Sequence, residues 1–177
     1  NMHCIKKNNL ANCKINVEKE MNRMIEKLGI SELFTINLNG IIGDDTNGHI
    51  DNFIRFIDDE TIVYFASKDE SYCNYQLACK LAKQVKDIVD RSKIIKQAIP
   101  LYHSKSDEFI KHGKIYPYSK LNFIATTECF IFPCISNNRE SLKHDLDGLP
   151  SKTKIYVINT EAALTEYGGL HCLTANI

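Results

Sequence analysis

The sequence predicts an α+β fold built from repeated hairpin–helix–strand units, and three observations carry that expectation. Short β-branched and aromatic runs alternate with two amphipathic stretches of helical period. Turn-like and glycine-bearing segments such as Asn39–His49 and Asp58–Thr61 separate them. The order of elements also recurs: strand, helix, strand over Met2–Leu38, then hairpin, helix, strand over Phe53–Ile99 and again over Leu121–Ile158. These three units share no obvious sequence. One such unit cannot bury both faces of its sheet, so the units are expected to pack about a common axis.

The elements follow in order. Val17, Met21, Met24, Ile25 and Leu28 recur at helical spacing between Ile15 and Leu28, with Asn16 as N-cap and Gly29 as a left-handed stop. Leu33–Leu38 reads as a strand. Asn39–His49 holds three of the eight glycines and two adjacent aspartates, which makes it a loop. Phe53–Ile57 and Ile62–Ala66 flank the turn-like Asp58–Thr61 as a hairpin would, and both runs are apolar on both faces, as central strands are. Tyr75, Ala78, Leu81, Ala82, Val85, Ile88 and Val89 form one stripe of a helix over Tyr72–Arg91. Ile94–Ile99 is a strand ended by Pro100. Leu101–Lys120 is the longest irregular segment, of the kind that forms rims or lids. Leu121–Ala125 with Cys129–Phe132 forms a second hairpin, Arg139–Leu146 a short polar helix, Lys154–Ile158 a strand, Glu161–Glu166 a helix, and Leu170–Ala175 the closing strand.

Composition narrows the function. The 177 residues are 44% hydrophobic and 25% charged, enough for a packed core, and 22 basic side chains balance 22 acidic ones. A net charge of zero offers no global field to draw in nucleic acid or an anionic membrane. No apolar run approaches the ~20 residues of a spanning helix. The seven cysteines are odd in number and form no CxxC pair, so reduced thiols and a cytoplasmic location are expected. Asn1 in place of an initiator Met, and a strand-like Met2–Ile5 at the outset, raise the expectation of further chain upstream.

Two segments break the rules of secondary structure. Gly43-Asp44-Asp45-Thr46-Asn47-Gly48-His49-Ile50-Asp51 gathers three carboxylates and an imidazole, costly unless a cation or proton transfer accounts for them. A calcium loop fails on spacing: with Gly48 sixth, Gly43 would be first and Ile54 twelfth, and neither is a ligand. An acidic turn whose side chains cap backbone amides is the alternative. The second is Gly168-Gly169-Leu170-His171-Cys172-Leu173-Thr174, where paired glycines allow the backbone close to a ligand. Six cysteines fall in helical or strand patterns and read as packing. Cys172 reads as either nucleophile or core thiol. Arg55, in an apolar strand, reads as a structural partner for a carboxylate.

Together the two segments resemble the GDDTDGHxD and GGxHCxT signatures of agmatine deiminases and the related bacterial peptidyl-arginine deiminases, and Tyr118–Phe123 is similar to that family's SYxNF segment. The resemblance implies the fold of the guanidine-modifying superfamily, a five-bladed pseudo-symmetric propeller of ββαβ units, the pentein fold. The family's chains are about twice as long. Residues 1–177 would then be one domain, the C-terminal portion of such a propeller with about three units, lacking the N-terminal RDxGP-like and EGG motifs. It also departs from the family by ending Ala175-Asn176-Ile177.

The resemblance also implies the chemistry. Cys172 would attack a guanidinium carbon, His49 would protonate leaving ammonia and activate water, and Asp51 would hold the guanidinium through paired N–H bonds. Asn122 would add a hydrogen bond, Gly169 would let the substrate approach, and Asp45 and Thr46 would reach the amine of agmatine. His171 is set aside as a base, because neighbours on a strand point to opposite faces. No metal or cofactor is expected. The expected partner is a small guanidine such as agmatine, with peptidyl-arginine as alternative substrate, and neither nucleic acid nor membrane. Self-association or union with a complementary N-terminal half is the competing property, and a Cys172–His49 acyl-transfer enzyme the third reading.

Overall fold

The computed structural model describes residues 17–44, 48–146, 149 and 154–174. The chain divides into two compact units, Asn1–Thr35 and Ile36–Ile177. In the first, helix α1 (Val17–Leu28) stops where the sequence expects. Gly29 takes φ +62°, and the Ile30 N–H reaches back to the Ile25 carbonyl at 3.1 Å, which satisfies a carbonyl the last turn would otherwise orphan. Asn16, Met2–Ile5, Cys4 and Cys13 lie outside the described residues.

The second unit contains two sheets of the same design. Strand β1 (Ile54–Phe56) pairs antiparallel with β2 (Thr61–Ser67), helix α2 (Tyr75–Arg91) crosses over, and β3 (Gln97–His103) returns parallel to β2. Strand β6 (Ile124–Ala125) pairs antiparallel with β7 (Cys129–Cys134), helix α3 (Arg139–Leu146) follows, and β8 (Lys154–Asn159) returns parallel to β7. Between these sheets a separate hairpin joins β4 (Phe109–Lys111) to β5 (Lys114–Tyr116). Helix α4 (Glu161–Thr165) leads into the second glycine-bearing segment.

Burial explains the first sheet. Ala78, Leu81, Val85 and Ile88 form the inward stripe of α2, and Ile62, Val63, Phe65 and Ala66 of β2 are buried. Each fully buried Phe or Leu stabilises the fold by about 1.5–3 kcal/mol relative to exposure. The Asp58 carboxylate accepts the N–H groups of Glu60 and Thr61 at 2.9 and 2.7 Å and closes the turn between β1 and β2. Those bonds hold its pKa below the ordinary value.

Several expectations are corrected. Strand β1 is an edge rather than a centre, and Phe56 on it is exposed. Pro100 does not end its strand but pairs opposite Tyr64 inside β3, where an edge position leaves alternate N–H groups unused and tolerates a missing one. Leu33–Leu38 forms no strand. At Asn37 the Gln84 side chain takes a neighbouring strand's place, with Oε1 accepting the Asn37 N–H at 2.8 Å and Nε2 donating to its carbonyl at 3.4 Å. Leu101–Lys120 is not one irregular segment: it holds β4 and β5, turned through His112 and Gly113 at φ +52° and +73°. Helix α2 begins at Tyr75, so Cys73 sits in the turn before it.

Candidate active site

Each motif segment is fixed at several backbone points. The Ile42 N–H donates to Asn74 Oδ1 at 2.8 Å, and the Asp44 N–H to the Ile41 carbonyl at 3.0 Å. Gly43, at φ +92°, packs against the hairpin: a Cβ there would stand 2.5 Å from the Ile115 carbonyl oxygen. Asp44 Oδ2 accepts the Gly48 N–H at 3.1 Å, which is the capping behaviour offered as the alternative to chemistry. A 3-10 turn over Ile50–Asn52 then delivers His49 and Asp51 just ahead of β1. Asp45 and Thr46 lie outside the described residues.

A buried polar knot fixes Tyr118–Asn122. Lys120, 2% exposed, places its ammonium 3.1 Å from Asp107 and 3.0 Å from Asp145, while its N–H donates to His103 Nε2 at 3.0 Å. Buried charges of this kind survive only when paired, and both signs are present here. Ser119 Oγ donates to the Asn52 carbonyl at 2.8 Å, which brings Asn122 beside Asp51.

Asn122 is the centre of the site. Its Nδ2 lies 3.0 Å from Asp51 Oδ2, 3.1 Å from Asn52 Oδ1 and 3.3 Å from Cys172 Sγ. Its Oδ1 accepts the His171 N–H at 2.8 Å and the Cys172 N–H at 3.4 Å. Gly169 makes room for that amide, since a Cβ there would fall 2.2 Å from Asn122 Oδ1. Atoms of His49, Asp51 and Cys172 lie within 4.8 Å of one another, with Cys172 Sγ 3.6 Å from Asp51 Oδ2.

His171 also lies in this cluster, and the strand alternation that sets it aside as a base does not hold. Residues 170–173 turn rather than run as a strand, so neighbouring side chains need not alternate, and His171 Nδ1 sits 2.7 Å from Asp51 Oδ2. Only its adjacency to Cys172 could have signalled this. Arg55 finds a carbonyl rather than a carboxylate in contact: its Nη1 donates to the Phe123 oxygen at 2.9 Å and its guanidinium lies 4.6 Å from the Phe123 ring centroid. Burial lowers its pKa, and the nearby Asp51 and Cys172 act in the opposite sense.

Among the described cysteines Cys172 alone is exposed. Protein crowded around its sulfur nevertheless pushes the thiol pKa up; Asn122 hydrogen bonding opposes this and the Asp51 charge reinforces it. The thiol faces a cavity of about 310 Å³, whose lining includes Asp44, His49, Asn122, Glu166, Gly169 and Cys172. Two of the lining residues are carboxylates and none is Lys or Arg. A site of this charge suits a cation, and a cation beside the thiol would favour its thiolate.

The fold and this cluster define a class. Residues 2–177 match the profile of the Porphyromonas-type peptidyl-arginine deiminase family, and the chain belongs to that family. Among individual relatives, it is 26% identical over 181 residues to the Marinomonas sp. (strain MWYL1) protein named "Putative agmatine deiminase", with 88% of this chain and 49% of the relative aligned. The structure of a C. jejuni agmatine deiminase variant with substrate bound superposes with a TM-score of 0.75 at 24% identity, over 93% of this chain and 47% of that one. Agmatine deiminase of Enterococcus faecalis gives 0.74 at 20%, over 89% and 47%. At these identities the solved structures establish the fold. The chain spans about half the length of the relatives it matches. Among the described residues no helix is long and apolar enough to cross a membrane.

Proposed function

We propose that the chain carries the thiol half of a guanidine-modifying hydrolase that converts agmatine to N-carbamoylputrescine with release of ammonia. The observation that carries this reading is the convergence of His49, Asp51 and Cys172 around the Asn122 amide, beside a cavity whose lining holds two carboxylates and no Lys or Arg. Asp51 accepts N–H bonds from the guanidinium, and its charge orients the planar group over Cys172. Burial raises the free thiol's pKa, an arriving cation favours the thiolate, and the thiol proton passes to His49. Sulfur bonds to the guanidinium carbon, and ammonia leaves with a proton from His49. His49 then takes a proton from water, which displaces sulfur from the amidino-cysteine and yields the ureido product. His171 positions Asp51 through the 2.7 Å contact. Asp45 and Thr46, by their match to the family motif, would hold the distal amine, and Gly169 clears the approach. The whole protein would be a cytoplasmic five-bladed propeller, with residues 1–177 as one domain in its C-terminal portion. Peptidyl-arginine is the alternative substrate.

A haloacetamidine, which mimics guanidinium and carries an electrophile, should alkylate Cys172 ahead of the other thiols, with agmatine protecting. Peptide mapping reads the result, and uniform labelling that ignores agmatine rejects the site. A second reading, association with a complementary N-terminal half, draws on β8, an edge strand that leaves Tyr156 and Ile158 exposed. Sedimentation with and without that half tests it. A monomer unaffected by the half and fully active alone would reject it.

A further inference from the structure

The three side chains that the proposed chemistry uses also meet the requirements of a metal site. A tetrahedral zinc ion stands ~2.3 Å from a cysteine sulfur and ~2.0 Å from a carboxylate oxygen, which puts those two ligand atoms about 3.5 Å apart. Cys172 Sγ and Asp51 Oδ2 are 3.6 Å apart. The ligating atom of His49 completes a triangle whose members all fall within 4.8 Å. Thiolate, imidazole and carboxylate together form a set that Zn²⁺ and its neighbours favour, whereas Mg²⁺ and Ca²⁺ favour oxygen alone.

The surroundings support the triangle. His171 and Asn122 hold the Asp51 carboxylate at 2.7 and 3.0 Å, the kind of outer hydrogen bonding that fixes a ligand's orientation. Asn122 Nδ2 also reaches Sγ at 3.3 Å, a donor that a metal-bound thiolate would keep. Cys172 is exposed, and the cavity of about 310 Å³ provides a way in and space for water as a fourth ligand.

We propose that His49, Asp51 and Cys172 form a three-ligand site for a thiophilic divalent cation, Zn²⁺ above all, which occupies the centre in competition with a guanidinium and silences the thiol. The ion is an inhibitor and not a cofactor. Binding forms a zinc–sulfur bond, breaks the S–H bond and releases that proton to solvent; no electrons move. Affinity therefore rises with pH as the thiol yields its proton more readily. The inference stands apart from the hydrolase reading, because it needs only the geometry of the resting side chains.

Titration of the full chain with Co²⁺ in oxygen-free buffer without added thiols provides the test. A near-ultraviolet thiolate-to-cobalt charge-transfer band should appear, survive excess Mg²⁺ and vanish on adding Zn²⁺. Cys172→Ser should remove the band, while His49→Gln and Asp51→Asn should each weaken cobalt binding by at least ~10-fold with unchanged far-ultraviolet circular dichroism. A band of full intensity in Cys172→Ser, wild-type affinity in either other variant, or no band at millimolar Co²⁺ would overturn the assignment. Ammonia release is not part of the readout, so a chain that binds cobalt as described yet deiminates nothing would reject the hydrolase reading alone.

Discussion

Two hairpin–helix–strand units among the described residues share a backbone plan and differ in what they present at its start. Asn52-Phe53-Ile54 and Asn122-Phe123-Ile124 are the same tripeptide, each with its Asn two residues before the first strand. Phe53 packs edge-on against Phe65 of β2, and Phe123 packs against Phe130 and Phe132 of β7. The two asparagines touch, with Asn122 Nδ2 3.1 Å from Asn52 Oδ1. Yet the residues ahead of them diverge. His49 and Asp51 precede the first, so that unit brings an imidazole and a carboxylate. Ser119 and Lys120 precede the second, bound into the interior, so that unit brings one rigid neutral amide. A repeated frame thus supplies position, and a few residues before each first strand supply the side chains that meet Cys172.

The largest test of that contrast exchanges like for like. Asn122→Ala removes the amide that touches Asp51 and Cys172 and receives two backbone N–H groups, so the rate of Cys172 alkylation by a haloacetamidine should fall by about 10²–10³-fold, the scale of losing an oriented donor at a reacting centre. Asn52→Ala removes only an acceptor for that same amide. Its effect should stay below about 10-fold. Equal losses in the two variants would mean that the tripeptides are interchangeable and the contrast is wrong.

Acid should also separate the units. His103 ends β3, paired with Ser67, and Asn159 ends β8, paired with Cys134, so the two occupy matching places. Burial, reinforced by the Lys120 charge, pushes the His103 pKa down to about 3. As pH falls below about 6.5 the unfolded chain takes up that proton while the folded chain does not. Stability is therefore complete above the unfolded value and declines from there toward pH 3, by about 2 kcal/mol between pH 7 and pH 5 for this group. Urea unfolding of wild type and His103→Gln at both pH values measures it. The variant should show the flatter dependence, and identical slopes would remove His103 as the cause.

How much of this could be read from the sequence depends on where the deciding contacts lie. Period and punctuation placed α1, α2, α3 and both hairpins of the repeated units, because those signals are local. The β4–β5 hairpin escaped, since its strands are three residues each and its turn uses His112 at positive φ in place of the usual Asn. In the cluster, Cys172, His49, Asp51 and Asn122 were legible through two motifs and a resemblance. His171 was not, because a turn in place of a strand redirects its side chain toward Asp51, 120 positions earlier. Gly169 acts through Asn122, 47 positions away, and no local pattern announces that.

The smallest effect concerns how the hairpin and the units are tied, and two cation–π contacts provide the comparison. Arg55 links the first unit to the second: it lies 4.6 Å from the Phe123 ring centroid and also donates to the Phe123 carbonyl at 2.9 Å. Lys114 of β5 lies 4.5 Å from the centroid of Tyr167, the residue at φ +59° before Gly168, and that ring also packs at 5.6 Å against Tyr116. Arg55 makes two interactions from a half-buried strand, and its loss leaves a carbonyl short of a partner, so Arg55→Met should lower unfolding free energy by about 1–3 kcal/mol. Lys114→Met removes only the charge over the ring and keeps most of the stem's packing, so the cost should be about 0.5–1 kcal/mol. Urea denaturation midpoints at constant slope rank the two. A larger loss for Lys114→Met would place the mechanical link at the hairpin and Tyr167 instead of between the repeated units, and the view of two units joined through Arg55 would have to be given up.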